Sequence, residues 1–202
     1  MGEFAHLARR FFASVRRGGP TEADRAWVED VLSRSEYELW AAQYAPDRRH
    51  SASVARRVER ELAGEAFGRR GRSPSAAASR ELADEAFGQG APAGEDTSWV
   101  LASALLHDIG KLESGLGTWG RVWATVAAKV LGAQRVAAWI DHDGCRGRAG
   151  RYVNHPEIGA ELLRGARSDP RTVAWASQHH KPADSWTLPP EIAQVLHEFD
   201  ND

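Results

Sequence analysis

No stretch of this chain alternates apolar and polar residues, or runs β-branched, for long enough to make a buried strand. Apolar residues recur instead at helical spacing, in segments divided by glycine and proline. The pattern predicts an all-α fold. Residues 3–17 form a first segment that stops at Gly18-Gly19-Pro20, and Thr21 opens a second that runs to about Leu32. Ser35-Glu36-Tyr37-Glu38 reads as a capping box ahead of Leu39 and Trp40. After Pro46-Asp47, the stretch RRHSASVARRVERELAGEAF reads as a long helix with His50, Val54 and Val58 on one face. In the second half, Thr97 or Ser98 caps WVLASALLHD, and helices are predicted over 119–131 and 133–142. Gly144, Gly147 and Gly150 then punctuate a predicted loop. Asn154-His155-Pro156-Glu157 reads as a cap, an early proline and a capping-box carboxylate opening EIGAELLR. Asp169-Pro170 opens TVAWASQHH in the same manner, and Pro189-Pro190 precede a last helix, EIAQVLHEFD.

With 202 residues, 42% of them hydrophobic and eight tryptophan, the chain can bury one substantial core. A single domain over 1–202 is expected, with 1–34 as an N-terminal helical extension. Within it, RELAGEAFG at 60–68 recurs as RELADEAFG at 80–88, among Gly-, Ser-, Ala- and Pro-rich pieces. Two copies are too few for a solenoid. Residues 68–96 are therefore expected to be a flexible, non-catalytic insertion. The formal charge of −2 gives no basic excess, and so no strong nucleic-acid signal. The single cysteine, Cys145, excludes an intrachain disulfide framework and a multi-cysteine zinc site; it fits a reducing compartment, and a cytoplasmic location is expected. No apolar stretch approaches the roughly 20 residues of a membrane helix, so no membrane partner is expected. The start, MGEFAHLARRFFASVRR, is amphipathic and basic but has no signal-peptide core. Such a helix can lie on a membrane surface; the reading preferred here packs Phe4, Leu7, Phe11 and Phe12 on the domain.

The chemistry concentrates in LLHDIGK at 105–111. An adjacent His-Asp pair at a helix end can aim an imidazole and a carboxylate into one small volume, a mixed N/O site for a divalent metal. A carboxylate has two oxygens and can bridge two ions. Alone the pair is weak evidence, since a histidine at a helix C-terminus also interacts favourably with the helix dipole. The other histidines are His6, His50, His142, His155, His179, His180 and His197. His50 sits on an apolar helix face, His155 opens a helix and His179-His180 end one. Apolar surroundings followed by a histidine at a helix boundary recur in LLHD, AWASQHH and VLHEFD. His6 and His142 are expected to be ordinary hydrogen-bonded histidines, although His142 and Asp143 are also candidates for proton transfer.

In the order His50, His107-Asp108, His155, His179-His180, Asp200, the chain resembles the HD-domain superfamily of metal-dependent phosphohydrolases. DRRHSASVA, LLHDIGKL, HPEIGAELL and QHH carry the likeness, which covers roughly residues 40–202. The resemblance implies an HD-like helical bundle. It also implies two divalent metals: one held by His50, His107, Asp108 and Asp200, the other by His155, His179, His180 and the shared Asp108. Asp184 and Asp202 are rivals for the last ligand. Fe or Mn is favoured, with Mg, Ni, Co and Zn as alternatives. The implied activity is hydrolysis of a phosphomonoester or phosphodiester, in a small phosphorylated substrate such as a nucleotide. Asp108 is implied as catalytic, and Lys111 is a candidate phosphate contact, as are Arg121, Arg146, Arg148 and Arg151 from nearby loops. The chain reads KPADSWTLPP after the paired histidines and lacks the Gly-Tyr-Pro signature of one subclass, which argues against cyclic-di-GMP as substrate. The alternatives are a mononuclear nucleotidase or nucleotide pyrophosphohydrolase, and a non-catalytic domain that binds a nucleotide or a partner.

Overall fold

A computed structural model describes residues 18–68 and 98–201, with the side chains of 64–68 and of residue 201 left aside. All regular structure among them is helical. The α-helices are α1 (Glu22–Val31), α2 (Arg34–Ala42), α3 (Ala45–Gly68), α4 (Ser98–Leu106), α5 (Thr118–Leu131), α6 (Ala133–Ala137), α7 (Gly144–Val153), α8 (His155–Gly165), α9 (Pro170–Gln178) and α10 (Pro190–Asn201). Short 3-10 segments cover Ile109–Ser114 and Ala183–Ser185. The helix expected over 3–17 and nearly all of the 68–96 insertion lie outside the described residues. No described helix is long and apolar enough to cross a membrane.

The order of burial follows from composition. α4, SWVLASALL, carries almost no polar side chains, so every face must be covered. Trp99, Val100, Ala102, Ser103, Ala104, Leu105 and Leu106 are all buried. Helices α3, α9 and α10 pack around it, and α1 and α2 add Val28, Leu32 and Trp40 to the same core. Leu105 and Leu106 are fully enclosed, and each such side chain contributes about 1.5–3 kcal/mol. A second, smaller core of Ala124, Ala127, Val136 and Ala149 holds α5, α6 and α7 together.

Four local readings change. The capping box that opens α2 is Ser33 with Glu36, not Ser35 with Glu38. Both pairs have the right spacing, but Glu36 is buried and bonds the Ser33 backbone N–H at 3.0 Å. Ser35 instead donates to the Ala166 carbonyl, and Glu38 pairs with Arg34. The loop expected around Gly144, Gly147 and Gly150 is helix α7, and the helix expected over 133–142 is regular only to Ala137. Here the glycines permit contact between backbones: a Cβ on Gly147 would stand 1.7 Å from the His142 carbonyl oxygen, and one on Gly150 would stand 2.5 Å from the Ile140 nitrogen. Asn154 does not cap α8 through its side chain; its amide donates to the Ala137 and Gly150 carbonyls, 2.9 Å each, and ties α7 to α6.

Candidate metal centre

The central helix delivers the His-Asp pair. His107 and Asp108 directly follow the last turn of α4 and are 2% and 6% exposed. A helix end leaves carbonyls without intrahelical partners, and His107 uses one: its Nδ1 lies 3.0 Å from the Ala104 oxygen. A carbonyl can only accept, so Nδ1 carries the proton and Nε2 is directed away from its own helix. The same device recurs at two further boundaries. His179, after α9, places Nδ1 2.9 Å from the Ala176 oxygen, and His155, after α7, places it 2.7 Å from the Tyr152 oxygen.

The Nε2 atoms converge on two carboxylates. His155 Nε2 is 3.1 Å and His179 Nε2 3.6 Å from Asp108 Oδ1, while His107 Nε2 is 3.4 Å from Asp108 Oδ2. Asp200, near the end of α10, brings Oδ1 to 3.1 Å from His107 Nε2 and 3.2 Å from His50 Nε2. Two groups result: Asp108, His155, His179 and His180, and His50, His107 and Asp200. Within each group the nearest ligand atoms lie within 4.8 Å of one another. Asp108 faces both groups, one oxygen to each.

Close packing of the 3-10 segment on α8 sets this register. A Cβ on Gly110 would sit 2.0 Å from the His155 carbonyl oxygen and 2.6 Å from the Gly159 nitrogen, so only backbone fits between these elements. At the far side, Arg57 of α3 donates to the Phe199 carbonyl at 2.5 Å and stacks on its ring, holding the end of α10 beside His50. Neither Arg57 nor Gly159 was singled out from the sequence. Arg57 is one arginine among many in α3, but a glycine inside the helical pattern of EIGAELL costs about 1 kcal/mol against alanine and so points to a packing reason.

The donors fit a metal. His107 Nε2, Asp108 Oδ1, His155 Nε2 and His179 Nε2 are buried and make no hydrogen bond among the described residues. Buried polar atoms are ordinarily paired. Nitrogen and oxygen lone pairs that converge without bonding repel one another unless a proton or a cation lies between them. No thiolate takes part, Cys145 being exposed elsewhere, so the donor set is imidazole and carboxylate.

The electrostatics agree. Burial alone would lower the pKa of His107, but the carboxylates of Asp200 and Asp108 reverse that and raise it to about 10. Burial would raise Asp108, yet Lys111 and His107 hold it well below the usual carboxylate range. Asp200 is likewise held low against burial, chiefly by His107. Burial lowers His155 despite Asp108. His180 opens to solvent at the rim, but desolvation by the protein around it, with His179 and His155, pushes it down to about 3.

Other expected residues fall as follows. Lys111 is 13% exposed at the side chain and ion-pairs with Asp108 Oδ2. Arg121 is held by both oxygens of Asp47, at 2.5 and 2.7 Å. Arg151 donates to the Glu113 and Ile140 carbonyls. Arg146, Arg148, His142, Asp143 and Asp184 are exposed and belong to neither group. His197 lies within α10 with its ring 5.1 Å from that of Trp186, so of VLHEFD only the aspartate reaches the centre. His6 and Asp202 lie outside the described residues.

The described chain is thus an all-helical fold with two neighbouring His/Asp clusters, Asp108 of one standing 3.4 Å from His107 of the other, consistent with an HD-like metal-binding arrangement. Comparison with protein-family models, with curated proteins and with solved structures gave no match.

Proposed function

We propose that this protein is a metal-dependent phosphohydrolase that cleaves a phosphomonoester or phosphodiester bond in a nucleotide. The observation that carries the reading is the pair of adjacent clusters, whose buried Nε2 atoms and Asp108 Oδ1 make no hydrogen bond. His50, His107, Asp108 and Asp200 would hold one ion, and Asp108, His155, His179 and His180 a second; imidazole suits Fe and carboxylate suits Mn, the two metals that the resemblance favours. Two divalent ions supply such a site with a water of lowered pKa and with positive charge for the phosphoryl oxygens. The protein's own part is orientation. Backbone carbonyls fix three imidazoles with Nε2 inward, and such outer bonds are what hold ligand geometry in metal sites. Asp108 spans both halves and keeps them in register. Lys111, beside Asp108, brings a cationic group to the centre and is the proposed contact for a substrate phosphate. The nucleotide as substrate class rests on the resemblance to HD hydrolases.

Elemental analysis of the purified chain, followed by assays on nucleotide diesters and monoesters, tests this. About two ions per chain with hydrolysis supports it. About one ion favours the mononuclear nucleotidase. A chain that takes up no metal even after anaerobic reconstitution sinks the enzyme reading and leaves a non-catalytic binding domain.

A further inference from the structure

Helix α5 turns an apolar stripe to solvent. Trp119, Trp123, Val126 and Val130 recur at one-face helical spacing and are 75%, 44%, 51% and 75% exposed. Leu131 is 44% exposed at the end of the helix. The opposite side is used differently: Ala124 and Ala127 pack on Val136 and Ala149. A stripe about 16 Å long facing water marks a contact surface.

The segment that carries it is positive. Residues 115–151 hold six Lys and Arg against two Asp, in a chain whose formal charge is −2. Arg121 and Arg151 are engaged within the fold. Lys129, Arg135, Arg146 and Arg148 are exposed. A second stretch of the sequence has the same composition. Residues 1–17 carry Arg9, Arg10, Arg16 and Arg17 against Glu3 alone, together with Phe4, Leu7, Phe11 and Phe12. Gly18 and Gly19, which follow, lie against the first turns of α3: Arg49 donates to the Gly18 carbonyl, and Gly19 faces Ala45 and Arg48. The start of α5 is fastened to the same turns, through Asp47 to Arg121 and through the Arg121 guanidinium over the Tyr44 ring.

We propose that this face docks on the surface of an anionic lipid bilayer, with Trp123, Val126 and Val130 of α5 in the interfacial layer and Lys129 and Arg135 at the headgroup phosphates. Exposed tryptophan, an apolar stripe and flanking cations form the combination that holds a helix in the plane of a charged membrane. Charge selects this occupant. A second copy paired along the stripe would set Lys129 and Arg135 of each chain into one basic interface. Residues 1–17 folded back on α5 would bring four more arginines to a surface already positive. Docking needs no spanning helix; it does depart from the absence of any membrane partner expected from the sequence. It is independent of the reaction proposed above.

Flotation of the full, metal-loaded chain with vesicles tests the proposal, comparing phosphatidylglycerol–phosphatidylcholine mixtures with phosphatidylcholine alone. The chain is expected to float with the anionic vesicles only, and less so as salt rises. Trp123→Ser with Val130→Ser should weaken that binding by about tenfold or more. Lys129→Glu with Arg135→Glu should do so as well. Unchanged helical circular dichroism and unchanged metal per chain in both variants keep a folding defect from imitating the result. Failure to float with anionic vesicles overturns the proposal, and so does flotation that neither pair of substitutions alters. A dimer seen by light scattering that the Trp123 and Val130 substitutions abolish, with no flotation, assigns the stripe to a second copy and also overturns it.

Discussion

His107, His155 and His179 each spend Nδ1 on the carbonyl three residues earlier, and each leaves Nε2 in a buried space with no hydrogen-bond partner. Their protonation differs because their carboxylate neighbours differ. His107 stands against both Asp200 and Asp108, and in the metal-free chain its pKa is about 10. That lies above its ordinary 6.5, so the interaction stabilises the metal-free fold fully below pH 6.5 and is lost as pH rises through about 10. His155 and His180 are shifted downward and are neutral at pH 7. A ligand imidazole must be neutral, so metal uptake at pH 7 should release protons, His107 giving up one. Titration calorimetry in buffers of different ionisation enthalpy reads that number as a slope. A slope of zero would show that His107 is already neutral or is not a ligand.

Between elements, the decisive contact is backbone against backbone. Gly110→Ala should cost about 3 kcal/mol or more in urea denaturation, because the new Cβ meets the His155 carbonyl and the Gly159 nitrogen, neither of which can swing aside. The same shift would move His155 off Asp108, so metal content should fall with stability. Gly165→Ala, at the end of α8 with open space around its Cβ direction, should be neutral or stabilising by up to about 1 kcal/mol. Equal losses from the two substitutions would refute the packing argument. Glycine is also where the helix boundaries were hardest to read. Gly147 and Gly150 look like loop punctuation because sequence shows their missing side chains but not the neighbouring backbone that requires them to be missing.

For the molecule as a whole, the centre is a cross-link among distant parts of the chain. His50 of α3 meets Asp200 of α10 across 150 residues, and His107 links both to Asp108 and α8. Ions bound only by the folded state stabilise it by mass action, about 4 kcal/mol at a thousandfold excess over Kd. Chelation should therefore lower Tm by about 10 °C for a chain of this size. Scanning calorimetry with and without chelator measures it, and equal values would mean the clusters hold no structural metal.

The all-α class, most helix starts and the inventory of histidines and aspartates were legible in the chain itself, because periodicity, caps and proline stops act within about one helical turn. Convergence was not legible that way. His107 and His179 belong to the clusters and His197 to neither, though all three follow the same kind of apolar run at a helix boundary. Their distances are set by how α4 is enclosed and by how Gly110 lets α8 approach, contacts between residues far apart in the chain, for which one sequence carries no local signal.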